Sequence, residues 1–193
     1  LDPNKITFGY IGRMTEDKGI SHLVDALKVM ATNGSEPQCL LIGSKQDSEI
    51  LEGLPSLTKV RTVPWTPEIV PVYCCIDVLC LPSYREGLPT VVLEAAMMDI
   101  PAIGARSTGI VDAIQHGITG LLVDQKDHTM LAAAMTRLAN ESSLRKSLGK
   151  SANRYVQTHF AQADVIRRYG DFIEQMVTNA ELSSSGVKRS GSK

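Results

Sequence analysis

Apolar and polar positions follow two rhythms along this chain of 193 residues. Short runs at Lys5–Ile11, Gln38–Ile42, Lys59–Val63, Asp77–Leu81, Pro101–Ala105 and Gly120–Val123, apolar in the main except at Lys59–Val63, read as strands. Between them the spacing turns helical. Ile20, Leu23, Val24, Leu27, Met30 and Ala31 share one helix face, and Asn33-Gly34 supplies the stop. Pro89–Met98 reads as a second helix, and shorter helical pieces are expected at Asp47–Leu54, around Pro67–Cys75 and at Ile110–Gln115. Strand and helix in alternation predict β-α-β units: an α/β fold with a doubly wound, Rossmann-like parallel sheet of about six strands.

Beyond Asp124 the pattern is helix alone. Met130, Leu131, Ala134, Met135 and Leu138 make one stripe, with Asn140 expected as the N-cap of the next helix. Val165, Ile166, Tyr169, Phe172, Ile173, Met176 and Val177 make another. All nine prolines lie at or before Pro101, in the half where strands and turns alternate. Residues 181–193 hold five serines and two glycines with almost nothing apolar, and are expected to be a disordered tail behind one domain, residues 1–180.

Composition narrows the function classes. With 43% hydrophobic and 21% charged residues the chain can bury a sizeable core. A formal charge of −1 lacks the broad basic field of a generic nucleic-acid or anionic-membrane binder. No apolar run approaches the roughly 18–20 residues of a membrane span. Leu1-Asp2-Pro3-Asn4-Lys5 does not open like a signal peptide, and a leucine at position 1 is read as the start of a piece of a longer chain. Cys39, Cys74, Cys75 and Cys80 lack zinc-ligand spacing and are expected as reduced core thiols of a cytosolic protein. His22, His116, His128 and His159 are scattered and read as surface residues, so no metal is expected.

In open α/β sheets ligands bind beyond the carboxyl ends of the strands. The first such loop, Gly12-Arg13-Met14-Thr15-Glu16-Asp17-Lys18-Gly19, sets two cations beside a helix start. Arg13 as a fork and Lys18 as a point charge can neutralise a diphosphate, or else merely balance Glu16 and Asp17. No Gly-x-Gly-x-x-Gly or Walker-type phosphate loop is present. The loop after the fourth strand reads Pro82-Ser83-Tyr84-Arg85-Glu86-Gly87-Leu88-Pro89-Thr90-Val91. Pro89 suits the first turn of a helix whose free amides near Leu88 to Val91 favour phosphate. Glu86 and Glu94, with seven residues between them, can accept hydrogen bonds from sugar hydroxyls and from a ribose diol. The bland alternatives are a helix-dipole partner for Glu86 and a surface residue for Glu94. Apolar neighbours Leu93, Ala95 and Ala96 suggest a costly setting in which Glu94 needs a partner.

Together, Gly12-Arg13, Lys18-Gly19 and the Glu86-x7-Glu94 pair behind Pro-Ser-Tyr-Arg-Glu-Gly-Leu-Pro resemble the C-terminal, donor-binding domain of retaining glycosyltransferases of the GT-B fold. The likeness is to family 4, the "group 1" enzymes of bacterial polysaccharide assembly, from about Ile6 to Phe172. It implies that Arg13 and Lys18 stabilise the leaving nucleoside diphosphate and that Glu86 holds donor-sugar hydroxyls, making these three the catalytic residues. It further implies that Glu94 holds the ribose, that amides of Gly87, Leu88, Pro89-Thr90 and Val91 together with Gly12 line the donor, and that the base lies near Trp65. Trp65 can stack on that base or simply pack. The donor is expected to be a nucleotide-diphosphate sugar, UDP-linked by preference, with no metal or other cofactor.

Two turns depart from the family wording: Ile42-Gly43-Ser44-Lys45-Gln46 and Thr108-Gly109-Ile110-Val111-Asp112. The acceptor, a glycan or lipid-linked glycan, is expected on a missing N-terminal domain, without which the chain turns over weakly. The helices at 141–180 are expected to meet that domain, or a second copy of this chain. The expected location is cytoplasmic, peripheral at the inner membrane face in the full-length protein, with neither nucleic acid nor a membrane span involved. A GT-B epimerase and a non-catalytic nucleotide-binding module are the alternatives.

Overall fold

The apolar runs become the strands of one parallel sheet. The computed structural model describes residues 1–43, 58–161, 167 and 170–176. The expected helix at 47–54, the turn at 44–46, the apolar positions Val165, Ile166, Tyr169 and Val177, and the tail lie outside the described residues. The strands are β1 (Thr7–Ile11), β2 (Gln38–Ile42), β3 (Lys59–Val63), β4 (Val78–Leu81), β5 (Ala102–Ala105) and β6 (Gly120–Val123). They line up in the order β3-β2-β1-β4-β5-β6, every pair parallel. Three expected strands begin a residue or two late. Asp77 is spent differently, its Oδ2 accepting the Thr7 amide at 2.8 Å, and Pro101 has no N–H to give a ladder.

Helices cover both faces. They are α1 (Ile20–Thr32), α2 (Val70–Tyr73), α3 (Thr90–Met97), α4 (Ile110–Ala113), α5 (His128–Asn140) and α6 (Ser142–His159). Alternation along the strands sorts the core into two layers. Phe8, Tyr10, Cys39, Leu41, Val78, Cys80, Ile103, Leu121 and Val123 meet α1 and α5 on one side. Ile11, Leu40, Ile42, Leu79, Leu81, Ala102 and Leu122 meet Tyr73, Val92, Ala95, Ile110 and Ile114 on the other. Only β3, at the edge, alternates between exposed and half-buried residues, with Lys59 and Arg61 to the solvent. Charged residues on an edge strand discourage pairing with another chain.

Three expectations change. Asn140 closes α5 rather than capping α6: Glu141 follows it, giving its amide to the Arg137 carbonyl at 2.9 Å and taking the Arg145 amide at 3.0 Å. Cys39 and Cys80 are buried free thiols, but Cys74 and Cys75, just past the short α2, are exposed. Pro89 precedes the first helical residue of α3 instead of occupying it. The chain divides into two units, Leu1–Arg154 with the whole sheet, and Tyr155–Lys193. In the second unit Tyr155 stacks beside His159, ring centroids 4.4 Å apart, and Phe172, Ile173 and Met176 are exposed.

Candidate functional site

The strand order reverses direction between β1 and β4, since β2 lies on one flank of β1 and β5 on the far flank of β4. Such a switch point opens a crevice at the carboxyl ends of the two strands. Both motif-bearing loops leave from there, Gly12–Gly19 after β1 and Pro82–Pro89 after β4.

The loops are stitched together by backbone. The Tyr84 amide donates to the Asp17 carbonyl at 3.0 Å, and the Ser83 hydroxyl reaches the same oxygen at 3.4 Å. Gly19 ends the turn Glu16–Lys18 in a left-handed conformation, φ 71°, and a Cβ there would stand 2.1 Å from the Pro82 carbonyl oxygen. Glycine alone allows both the conformation and the approach. The β5–α4 loop closes in from the other flank: the Glu86 amide donates to the Thr108 carbonyl at 3.2 Å, and the Ser107 hydroxyl to the Ser83 carbonyl at 2.9 Å. Gly109, φ 79°, sits so tightly against this loop that a Cβ would come 2.1 Å from the Gly87 carbonyl oxygen.

Within this frame Lys18 Nζ lies 2.8 Å from Glu86 Oε1, the two side chains only 18% and 17% exposed. Arg13 is different. Its guanidinium lies 3.7 Å from Asp17, and both side chains are more than 60% exposed. Exposed pairs of that kind are weak and easily exchanged for another anion. The Asp17 carboxyl is held below its usual range by a hydrogen bond from the Thr15 hydroxyl, helped by the charges of Arg13 and Lys18. Tyr10, buried under the loop, donates its hydroxyl to the Arg13 carbonyl. Burial, and secondarily the negative charge of Glu86, pushes its phenol far up, so it stays a donor.

Glu94 projects from α3 into solvent, not into an apolar pocket. Helical spacing sends Val92, Ala95 and Ala96 into the core and leaves Glu94 exposed. Linear neighbours in sequence point in different directions on a helix. The carboxylate still has a partner, for the Tyr73 hydroxyl donates to Oε2 at 2.7 Å. The start of α3 carries no side-chain cap, and beside it Gly87, Leu88 and Thr90 are exposed, Val91 half-buried and Pro89 buried. Trp65, just beyond β3, is 64% exposed. In the sheet β3, which leads to Trp65, is separated by β2 from β1 and lies three strand spacings, roughly 14 Å, from β4. Gly12 follows β1, its amide bonded to the Ile42 carbonyl at 2.9 Å.

Three contributors were given no role from the sequence: His22 and Tyr73, which lie outside the motifs, and Tyr84, which lies within one. His22, expected at the surface, is half-buried, its Nε2 2.8 Å from the Tyr84 hydroxyl. Tyr84 also donates to Glu16 at 3.3 Å and lies under the Lys126 ammonium, 5.2 Å from the ring centroid. It thus ties the Glu86 loop to the start of α1 and to the β6–α5 loop. Its aromatic character in a polar loop was the one available signal. Tyr73 had none, because its pairing with Glu94 crosses 21 residues. A cavity of about 670 Å³ lies elsewhere, lined by Leu1, Asp2, Thr7, Cys74 and Cys75 among others, and none of the candidate residues lines it. Among the described residues no three His, Cys, Asp or Glu side chains gather as a metal site, and no helix is long and apolar enough to cross a membrane.

A parallel sheet of this order, with polar loops gathered at its switch point, defines a Rossmann-like domain of the GT-B type. The sequence pattern of the group 1 glycosyl transferases matches residues 5–141, and the chain belongs to that family. It is 28% identical over 166 residues to the capsular polysaccharide biosynthesis glycosyltransferase CapM of Staphylococcus aureus, covering 82% of this chain and 43% of that protein. The chain therefore spans less than half the length of this curated relative. Among solved structures, HepE of Anabaena in complex with UDP and glucose superposes with a TM-score of 0.77 at 18% identity, over 89% of this chain and 49% of that one. The C-terminal domain of the group 1 family protein LpcC of Francisella tularensis gives 0.72 at 23% identity, over 83% of this chain and 88% of that one.

Proposed function

We propose that this chain is the donor-binding half of a retaining glycosyltransferase, taking a nucleotide-diphosphate sugar and serving bacterial polysaccharide or glycan synthesis. The observation that carries the reading is the convergence of Lys18 and Glu86 at the switch point, with the exposed Arg13 on the same loop as Lys18. A departing nucleoside diphosphate gathers negative charge as the glycosidic bond breaks. Lys18 meets that charge as a point charge already held in place, Arg13 swings its exposed fork onto it, and the amides at the start of α3 add their dipoles. Glu86, fixed by Lys18 and by its own amide bond to Thr108, accepts hydrogen bonds from the sugar hydroxyls and orients the reacting carbon.

Glu94 takes the ribose diol, and Trp65 offers its exposed ring to the base. UDP is the favoured carrier, in keeping with the UDP bound by HepE. The two cations do the charge neutralisation, so no metal is required. The acceptor, a glycan or lipid-linked glycan, binds on a further domain, and turnover needs that domain.

Calorimetric titration of the chain with UDP, GDP and ADP tests this. Binding selective for one of them, with UDP expected, and abolished in Glu94→Ala, supports the donor site. No heat with any of the three at millimolar concentration overturns it for this chain.

A further inference from the structure

Glu94 hangs from an exposed position of α3, where a glutamate side chain is ordinarily free to sample several rotamers. Here one oxygen is pinned. Tyr73, at the end of α2 and only 2% exposed, is locked by packing into the core layer that also holds Val92 and Ala95. Its hydroxyl lies 2.7 Å from Glu94 Oε2 and 3.2 Å from the Val91 carbonyl oxygen. One phenol has one proton, and the shorter contact to a charged acceptor takes it. Burial first, and the hydrogen bond to Glu94 second, raise the phenol far above its ordinary range, so the donor persists at any physiological pH.

We propose that Tyr73 is a positioning residue for Glu94, holding the carboxylate in the one rotamer from which it accepts the ribose diol of the donor, on the strength of the ribose role given to Glu94 above. Tyr73 occupies one lone pair of Oε2 and leaves Oε1 and the second lone pair of Oε2 for the two hydroxyls. The bound rotamer is populated before the ligand arrives, and the ordering cost of a long side chain is met in folding, not in binding.

The test uses UDP and 2′,3′-dideoxy-UDP on the wild type, Tyr73→Phe and Glu94→Gln, by calorimetry. Tyr73→Phe keeps the buried ring and deletes one hydroxyl. UDP affinity is expected to fall about three- to tenfold in Tyr73→Phe while dideoxy-UDP affinity stays unchanged. Equal loss for both ligands, or no loss for either, overturns the positioning role. The ratio of the two affinities within one variant is insensitive to partial unfolding, since an unfolded fraction scales both dissociation constants alike. Glu94→Gln separates the two layers of inference. If it leaves the ratio untouched, the ribose role of Glu94 falls. If it erases the ratio while Tyr73→Phe preserves it, the positioning role alone falls.

Discussion

Lys18 and Glu86, 68 residues apart in the chain, close a 2.8 Å ion pair across the two loops of the switch point. Each is the group the other needs before any ligand arrives. A lone carboxylate or ammonium at this burial loses solvation without compensation, and the pairing offsets part of that cost. The consequence is a pre-formed charge arrangement: an acid already oriented toward the strand ends, and an ammonium that can share its remaining protons with an anion.

The coupling between them is measurable. Lys18→Met and Glu86→Gln should each destabilise the domain by about 1–3 kcal/mol, because each leaves its partner partly buried and unpaired. The double variant should cost clearly less than the sum of the two. Urea unfolding of the four proteins gives the cycle, and strict additivity would mean that the pair does not persist in solution.

Gly109 is expected to be intolerant. A Cβ there meets the Gly87 carbonyl oxygen at 2.1 Å under a positive φ of 79°, so Gly109→Ala must push the Glu86 loop outward. UDP affinity should drop at least fivefold along with a stability loss of about 2–4 kcal/mol. Gly34 is the control: it has a similar φ of 82° but open space around it. Gly34→Ala should cost only the strain of the conformation, about 1–2 kcal/mol, with UDP binding unchanged. Equal binding losses in the two variants would remove the contact to Gly87 as the cause.

Trp65 is the one tryptophan of the chain and stands in solvent. Its fluorescence reports directly on the proposed base site. Saturating UDP should quench it, since a base stacked on the indole face interacts directly with the excited ring, and Trp65→Ala should weaken UDP several-fold. An emission spectrum that ignores bound UDP would place the base elsewhere.

Tyr10 and Tyr73 give a pH signature. Burial raises both phenols well above their ordinary value of about 10. The folded state therefore keeps protons that the unfolded chain releases, so their contribution to stability is whole below about pH 10 and declines as pH rises beyond it. Phenolate absorbance in the folded protein should stop short of the full tyrosine count, and the rest should appear together with unfolding. Complete titration before unfolding would contradict the burial of these hydroxyls.

Much of this was legible in the linear chain because it depends on local rules. Apolar runs of strand length, the helical stripe of Ile20 to Ala31 and the Asn33-Gly34 stop report on backbone periodicity, and the sheet follows them to within a residue or two. The Arg13–Lys18 loop and the Glu86-x7-Glu94 pair were also readable, since motif wording travels with the sequence. Local rules failed where direction matters. Leu93, Ala95 and Ala96 made the surroundings of Glu94 look apolar, yet a helix turns each residue by about 100° and set Glu94 in solvent. Asn140 looked like a cap until α5 ran two residues further than its stripe.

What the chain alone determined is therefore the class of fold, the placement of its loops and the residue types that carry charge. Which of those charges meet was decided only when β1 and β4 became neighbours. That adjacency brought Lys18 to Glu86, and the packing of α2 beside α3 brought Tyr73 to Glu94. Pairings across such separations follow from sheet order and helix packing, which have no signature at any single position.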